Sequence, residues 1–438
     1  MTRLHAARAL VGEEAVTDLA VDVGSDGRIV ALSAGVPAGP GDVRLGTVLA
    51  GSGNAHSHAF HRALRGRTHD RGGDFWRWRT VMYDVAGRLT PARYERLAEA
   101  VFAEMLVAGW TSVAEFHYVH HQPSGAAYDD PNAVGAALVR AATRVGIRLT
   151  LLDTCYLAGG PGQPLLPEQA RFGDGTVERW LERWAALAPL ATGTVTVGAA
   201  LHSVRAVSPD DMAVVAERLP SGVPLHVHLS EQVAENEQAL AAWGLTPTGV
   251  LAEAGLLAPR LSVVHATHLT DADLALLGGA GVTAVLCPTT EADLGDGIGP
   301  ARELADAGAV LALGSDQNAV VDPWLEVRGL EAGERLRSQQ RGRLRPGELE
   351  AARTSGGYRA AGLPGGLAVG AMADLVEVDP GSVRTAGADL AQLSLVATAA
   401  DVRRVLVGGR VVAADGRLAD GRDPAALLRD ALADLEES

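Results

Sequence analysis

Short apolar runs alternate along this chain with longer stretches whose apolar positions recur at helical spacing, the pattern of repeated strand-helix units. The runs fall near 47–55, 111–117, 148–155, 194–201, 224–229, 261–266, 282–287 and 310–315. Eight of them predict a (β/α)₈ barrel of the TIM type, with helices outside and loops of functional interest at the C-terminal strand ends. Between the first two runs, Thr90-Pro91 makes a helix start, and Tyr94, Leu97, Ala98, Val101, Phe102 and Met105 follow the i, i+3, i+4, i+7 rule. A second helix is expected around 176–189, with Trp180, Trp184 and Leu187 as a core stripe.

The ends read differently. VTDLAVDVGSDGRIVAL, from Val16 to Leu32, alternates around Ser25-Asp26-Gly27 as a hairpin does, and 373–379 and 402–418 have the same character. These terminal strands are expected to join into one small β-sandwich domain. The expected division is 1–47 and 361–438 for that domain, the latter ending in a helix that starts at Asp423-Pro424, and 48–360 for the catalytic barrel. Residues 159–175 carry too much glycine and proline for a regular element and follow the third strand, so both a lid and an inert surface loop stay open. The basic run Arg335, Arg337, Arg341, Arg343 and Arg345 is expected to be a solvated helix and connection.

Composition narrows the function. A chain of 438 residues, 47% hydrophobic, suits one barrel with a small attached domain. The net charge of −15 argues against nucleic acid as a partner. No run of about 18 uncharged apolar residues is present to span a bilayer, and MTRLHAARALVGEEAV lacks the apolar core of a signal peptide, so a cytoplasmic protein without membrane association is expected. Cys155 and Cys287 lie in separate predicted strands and read as packing residues. All 38 basic residues are arginine. A metal-bridging carboxylated lysine and lysine Schiff-base chemistry are therefore both excluded.

Chemistry concentrates at the ends of the runs. His56 and His58 are two apart on a predicted strand, so both imidazoles face one side and can share a metal. His226 and His228 form a second such pair, of which His228 lies nearer the C-terminal strand end and is the better ligand; His226 reads as a supporting or packing residue. Asp316 ends the eighth run and can complete a site of three nitrogens and one oxygen, a set suited to Zn²⁺, with Fe²⁺ or Mn²⁺ tolerated. His265 ends the sixth run and Glu231 follows the fifth; either Asp316 or His265 could take a proton from water, and Glu231 could pass one to a leaving nitrogen. His117, His120, His121 and His268 read as structural or pocket-lining. The set predicts hydrolysis of a C–N bond at an sp² carbon.

GSGNAHSH at 51–58, His228, His265, Gly314-Ser315-Asp316 and the terminal β-domain resemble the amidohydrolase superfamily over essentially the whole chain. HSHAFHRAL (56–64), DFWRWRTVMY (74–83), AEFHYVHH (114–121), HSVRAV (202–207), VHATH (264–268) and LCPTTEADLGDGIGP (286–300) narrow the resemblance to the formimidoylglutamate deiminases of histidine degradation. These hydrolyse N-formimidoyl-L-glutamate to N-formyl-L-glutamate and ammonia. The resemblance implies one zinc at His56, His58, His228 and Asp316, catalysis by His265, Glu231 and Asp316, and a homodimer. It also implies a small anionic amidine substrate held by Arg79, Tyr118, His202 and Arg205, with His61 touching it. Two arginines suit a dianion, since each guanidinium presents a fork of donors matching a carboxylate. The chain departs from that family at His61, where glutamine is usual, at Asp293, where asparagine is usual, and at Gln317-Asn318, where serine and histidine are common. A deaminase of the same fold acting on a purine, pyrimidine or related ring is the alternative, and a catalytically silent scaffold a more distant one.

Overall fold

The computed structural model describes residues 2–68 and 75–437. Its strands are β1 (Thr2–Val11), β2 (Glu14–Val23), β3 (Ile29–Ser33), β4 (Val43–Ala50), β5 (Ser52–Ser57), β6 (Trp110–His117), β7 (Arg148–Cys155), β8 (Val195–Ser203), β9 (Leu225–Leu229), β10 (Leu261–His265), β11 (Thr283–Leu286), β12 (Val310–Leu313), β13 (Leu375–Val378), β14 (Val402–Val407), β15 (Arg410–Ala414) and β16 (Arg417–Leu418). β5 to β12 pair in sequence order as a parallel sheet, and a bridge between Ser57 and Asp316 brings its two edges together. This is the (β/α)₈ barrel. The eight remaining strands, from both termini, form a second sheet in the order β16-β15-β14-β13-β4-β1-β2-β3.

The run expected as one strand at 47–55 is two strands in different sheets, β4 and β5, parted at Gly51. A Cβ at Gly51 would lie 2.2 Å from Thr111 Oγ1. Only glycine lets the chain pass that close to β6 as it leaves one sheet for the other.

The helix Pro91–Ala108 begins where the Thr90 hydroxyl accepts from the Arg93 amide, and all six residues of its expected stripe are buried. The C-terminal helix Pro424–Glu436 packs on it. Trp180 and Leu187 are buried in the expected core stripe, although the regular helix stops at Ala185. The barrel and the terminal sheet are joined through Asp374, which takes the Arg148 guanidinium at 2.9 and 3.1 Å, the Tyr358 hydroxyl at 2.6 Å and the Gly408 amide at 2.6 Å. The basic run is, as expected, a solvated helix end and the connection after it, and there Arg335 pairs with Glu331, Arg337 with Glu303 and Glu334, and Arg345 with Glu348. Among the described residues no helix is long and apolar enough to cross a membrane.

Candidate metal centre and active site

All six residues singled out for metal chemistry lie at the C-terminal mouth of the barrel. His56 is in β5 and His58 follows it; His228 is in β9, with Glu231 just beyond; His265 ends β10; Asp316 follows β12. Five non-glycine residues here have left-handed backbone angles: Ser230 (φ 49°), His265 (70°), Ala266 (48°), Asp316 (41°) and Asn318 (55°). Such angles are costly for L-residues and survive only where the surroundings impose them, as at strand ends bent to aim side chains inward. Gly314 makes room for the first ligand: a Cβ there would sit 2.8 Å from His56 Cβ and 2.9 Å from Cys287 Sγ.

The imidazoles converge. His228 Nε2 lies 3.1 Å from His56 Nε2 and 3.3 Å from His58 Nε2. Asp316 Oδ1 lies 3.3 Å from His56 Nε2 and 3.5 Å from His58 Nε2. A tetrahedral ion with bonds of about 2.0–2.1 Å spaces its ligand atoms about 3.3 Å apart, so these separations match the edges of such a shell. Proton placement agrees. His58 Nδ1 donates to the Phe116 carbonyl at 2.9 Å and His228 Nδ1 to the His202 carbonyl at 2.8 Å, which leaves both Nε2 atoms as lone pairs facing each other. Burial keeps all three rings neutral, His56 being lowered to about 3 and His58 and His228 also shifted down. Burial works against the charge on Asp316, but His56, His265 and His58 hold its carboxyl below the usual range. Neutral imidazoles and an ionised carboxylate aimed at one point are the donor set a divalent cation requires.

His265 differs from the ligands. Its Nε2 is 3.9 Å from both Glu231 Oε1 and Asp316 Oδ2, while Nδ1 is 3.3 Å from Glu291 Oε1. Burial opposes a charge there, yet Glu231, Glu291 and Asp316 outweigh it and raise the imidazole to about 10. Glu291 was absent from the sequence expectations. Its one signal is its place in the first turn after Cys287-Pro288, where its carboxylate accepts from the Cys287 amide at 2.8 Å. Glu115 was missed too. Fully buried in β6, it accepts from the Ala59 amide at 2.6 Å and the Tyr94 hydroxyl at 3.2 Å, anchoring the turn that carries His58. Burial pushes it up to about 8.

One pocket joins this cluster to the expected substrate residues: His61, Arg79, Tyr118, His202 and Arg205 line it together with Glu231, His265 and Asp316. Including the open solvent at its mouth, the space among these residues is about 640 Å³. Arg79 lies in a helix, Phe75–Arg88, that the apolar pattern did not predict; Asp74 of the same segment is outside the described residues. Arg205 Nε is 4.0 Å from Glu235 Oε2, and His61 Nε2 is hydrogen-bonded to the Tyr118 hydroxyl at 2.9 Å.

The sequence profile of the amidohydrolase family matches residues 47–412. The chain belongs to this family. A formimidoylglutamate deiminase of Pseudomonas aeruginosa is 38% identical over 434 residues, covering 95% of this chain and 96% of that one. Among solved structures, an amidohydrolase from Brucella melitensis superposes with a TM-score of 0.93 at 33% identity, covering both chains fully. An adenosine deaminase from Xanthomonas campestris with bound zinc gives 0.85 at 25% identity, covering 100% of this chain and 98% of that one.

His226 and His268 of this amidohydrolase have structural partners. His226, one layer deeper in the barrel than His228, is bonded to the Ala360 carbonyl at 2.8 Å, and His268 to the Asp296 carbonyl at 2.9 Å. The departures from the deiminase pattern are themselves connected. Gln317 donates to Asp293 Oδ2 at 2.6 Å and accepts from the Trp78 indole at 2.9 Å, so two unusual residues answer each other and steady a pocket wall. Asn318 donates to Ser57, to the His58 carbonyl and to the Asp316 carbonyl, stitching the first and eighth barrel strands behind the ligands.

Proposed function

We propose that this amidohydrolase is a formimidoylglutamate deiminase that hydrolyses N-formimidoyl-L-glutamate to N-formyl-L-glutamate and ammonia, with one zinc held by His56, His58, His228 and Asp316. What carries the reading is that two guanidinium groups, Arg79 and Arg205, line the same pocket as the histidine-aspartate cluster. A substrate dianion needs such a pair in a chain of net charge −15. The likeness to the Pseudomonas aeruginosa deiminase, over nearly the whole of both chains, supports the same substrate.

The ion's contribution when bound is to lower the pKa of water to about 7, so that a nucleophile forms near neutral pH. Asp316, whose second oxygen Oδ2 faces His265, accepts the proton of the attacking water. As the water oxygen bonds to the formimidoyl carbon, the C=N electrons move to the terminal nitrogen, His265 hydrogen-bonds the newly attached oxygen, and Glu291 keeps its ring oriented through Nδ1. Both protons of the water pass by way of Asp316 and Glu231 to the terminal nitrogen, the first as the C=N bond is lost and the second as the hydroxyl oxygen forms C=O and the C–N bond breaks, so that ammonia departs and not an amide anion, which is too basic to leave. Arg79 and Arg205 hold the two carboxylates, while His61, Tyr118 and His202 border the amidine.

The test is ammonia release from N-formimidoyl-L-glutamate by the zinc-loaded protein, beside adenosine as a neutral ring substrate. Turnover of the amidine alone supports the assignment. Turnover of adenosine alone transfers it to the ring-deaminase alternative, whose substrates do not call for two carboxylate-binding arginines.

A further inference from the structure

The loop at 159–175 contains a short 3₁₀ helix, Pro167–Phe172, and Gln169 within it is fully buried. Its side-chain oxygen accepts from the Leu166 amide at 2.8 Å. This contact fixes the orientation of the side chain, because the flipped amide would set one N–H against another. The nitrogen therefore donates one hydrogen to the Tyr83 hydroxyl at 3.0 Å and the other to the Tyr156 hydroxyl at 2.9 Å. Arg79 Nε also donates to Tyr83, at 2.7 Å. A phenolic oxygen has two lone pairs and one hydrogen. Two donors engage both lone pairs of Tyr83 and one donor engages Tyr156, so neither hydroxyl can give its hydrogen back to these partners, and among the described residues no acceptor takes either one. Both rings line the active-site pocket.

We infer that Gln169 makes Tyr83 and Tyr156 hydrogen-bond donors toward the ligand, so that with Arg79 and Arg205 they form a donor-only subsite that selects a carboxylate. Gln169 is a positioning residue; the two tyrosines are the specificity-determining contacts. A ring substrate that offers its own N–H groups to this wall would leave donors facing donors, and unpaired buried polar groups are how such sites reject analogues. The inference rests on the proposed function only in taking the substrate to be a dicarboxylate.

Q169E is the discriminating variant. It keeps the oxygen that holds the Leu166 amide, but its second oxygen accepts from both hydroxyls and draws them away from the pocket. On the zinc-loaded enzyme, glutarate binding is read by calorimetry, and KM and kcat are read with N-formimidoyl-L-glutamate. Q169E is expected to raise the glutarate Kd and the KM about 10- to 100-fold with kcat within about threefold. Y83F/Y156F should show a similar rise, and adding Q169E to that pair should change little more. An equal rise from Q169E in the double phenylalanine background would assign the effect to added charge and overturn the inference, as would wild-type protein that binds no glutarate. Should Q169E not fold, unchanged glutarate binding by Y83F/Y156F overturns it alone. Wild-type protein that binds glutarate without turning over the amidine, and loses that binding in Q169E, removes the substrate assignment and leaves the subsite standing. Turnover with an unchanged KM in Q169E removes the subsite and leaves the substrate.

Discussion

Among the described residues two buried clusters of histidine and aspartate sit on this barrel, and only one of the two is built for an exchangeable cation. At the mouth, the rings of His56, His58 and His228 meet Asp316; nearby, His117, His120 and Asp153 also bring ligand atoms within 4.8 Å of one another. The second cluster already holds a cation of its own. Arg183 donates to Asp153 at 2.6 and 3.0 Å and to Asp174 at 2.8 and 2.9 Å, while the Trp180 indole donates to Asp153 at 2.9 Å and His121 lies 3.0 Å from Asp174. A metal ion there would face a fixed guanidinium. At the mouth, two imidazoles have spent their Nδ1 protons on carbonyls and turn lone pairs to a common point. Residue type is shared by the two sites; the direction of the lone pairs, and whichever group already supplies positive charge, separate them.

Three measurements would break or sharpen that contrast. The largest effect is expected from D316N, which removes the charge of a proposed ligand and the proposed proton acceptor together. It should lower kcat by about 10³-fold and weaken zinc retention in metal analysis, with unfolding by urea little changed. Wild-type activity in that variant would unseat Asp316 from both roles.

Next comes R183M. It strands Asp153 and Asp174 as buried, uncompensated carboxylates and should cost about 3–5 kcal/mol in the free energy of urea unfolding, while the metal content of the protein that remains folded matches that of the wild type. If R183M were neutral to stability, the guanidinium would not be the cation of the second cluster.

The smallest effect concerns acid. Burial opposes the charge on Asp174, but His121 and Arg183 hold its carboxyl well below the usual range. A depressed native value means that the stabilisation is fully present above the unfolded value of about 3.9 and is lost as pH falls toward the native one. Unfolding measured between pH 5 and pH 3 should show a loss of about 1 kcal/mol from this group, a slope flattened in R183M. Equal acid slopes in the two proteins would remove Asp174 from the account.

Several features were legible along the chain because they depend on neighbours a few residues apart. Strands of a parallel barrel are covered on both faces and so read as unbroken apolar runs, which is why seven of the eight were located closely and only the first, cut at Gly51, was misread as one. The break was hidden because β4 and β5 follow one another with Gly51 alone between them, so no turn sequence marks the change of sheet. His56 and His58 were readable from the two-residue period of a strand, and the choice of His228 over His226 from its place nearer the strand end. Glu115, Gln169 and Glu291 carried no such mark. Each is an ordinary acid or amide whose role comes from partners 26 to 86 positions away: Ala59 for Glu115, Tyr83 for Gln169 and His265 for Glu291.

By itself, then, the sequence determined the order of strands and which residues stand at their C-terminal ends, since periodicity and burial act over a turn or a pleat. Tertiary structure alone decided which of those residues share a point in space, which histidine nitrogen keeps its lone pair, and that one aspartate is answered by Arg183 while another faces three imidazoles. Hydrogen-bond direction and Coulomb energy depend on distances of a few ångströms between groups such as His58 and Asp316, and only closure of the barrel brings such groups together.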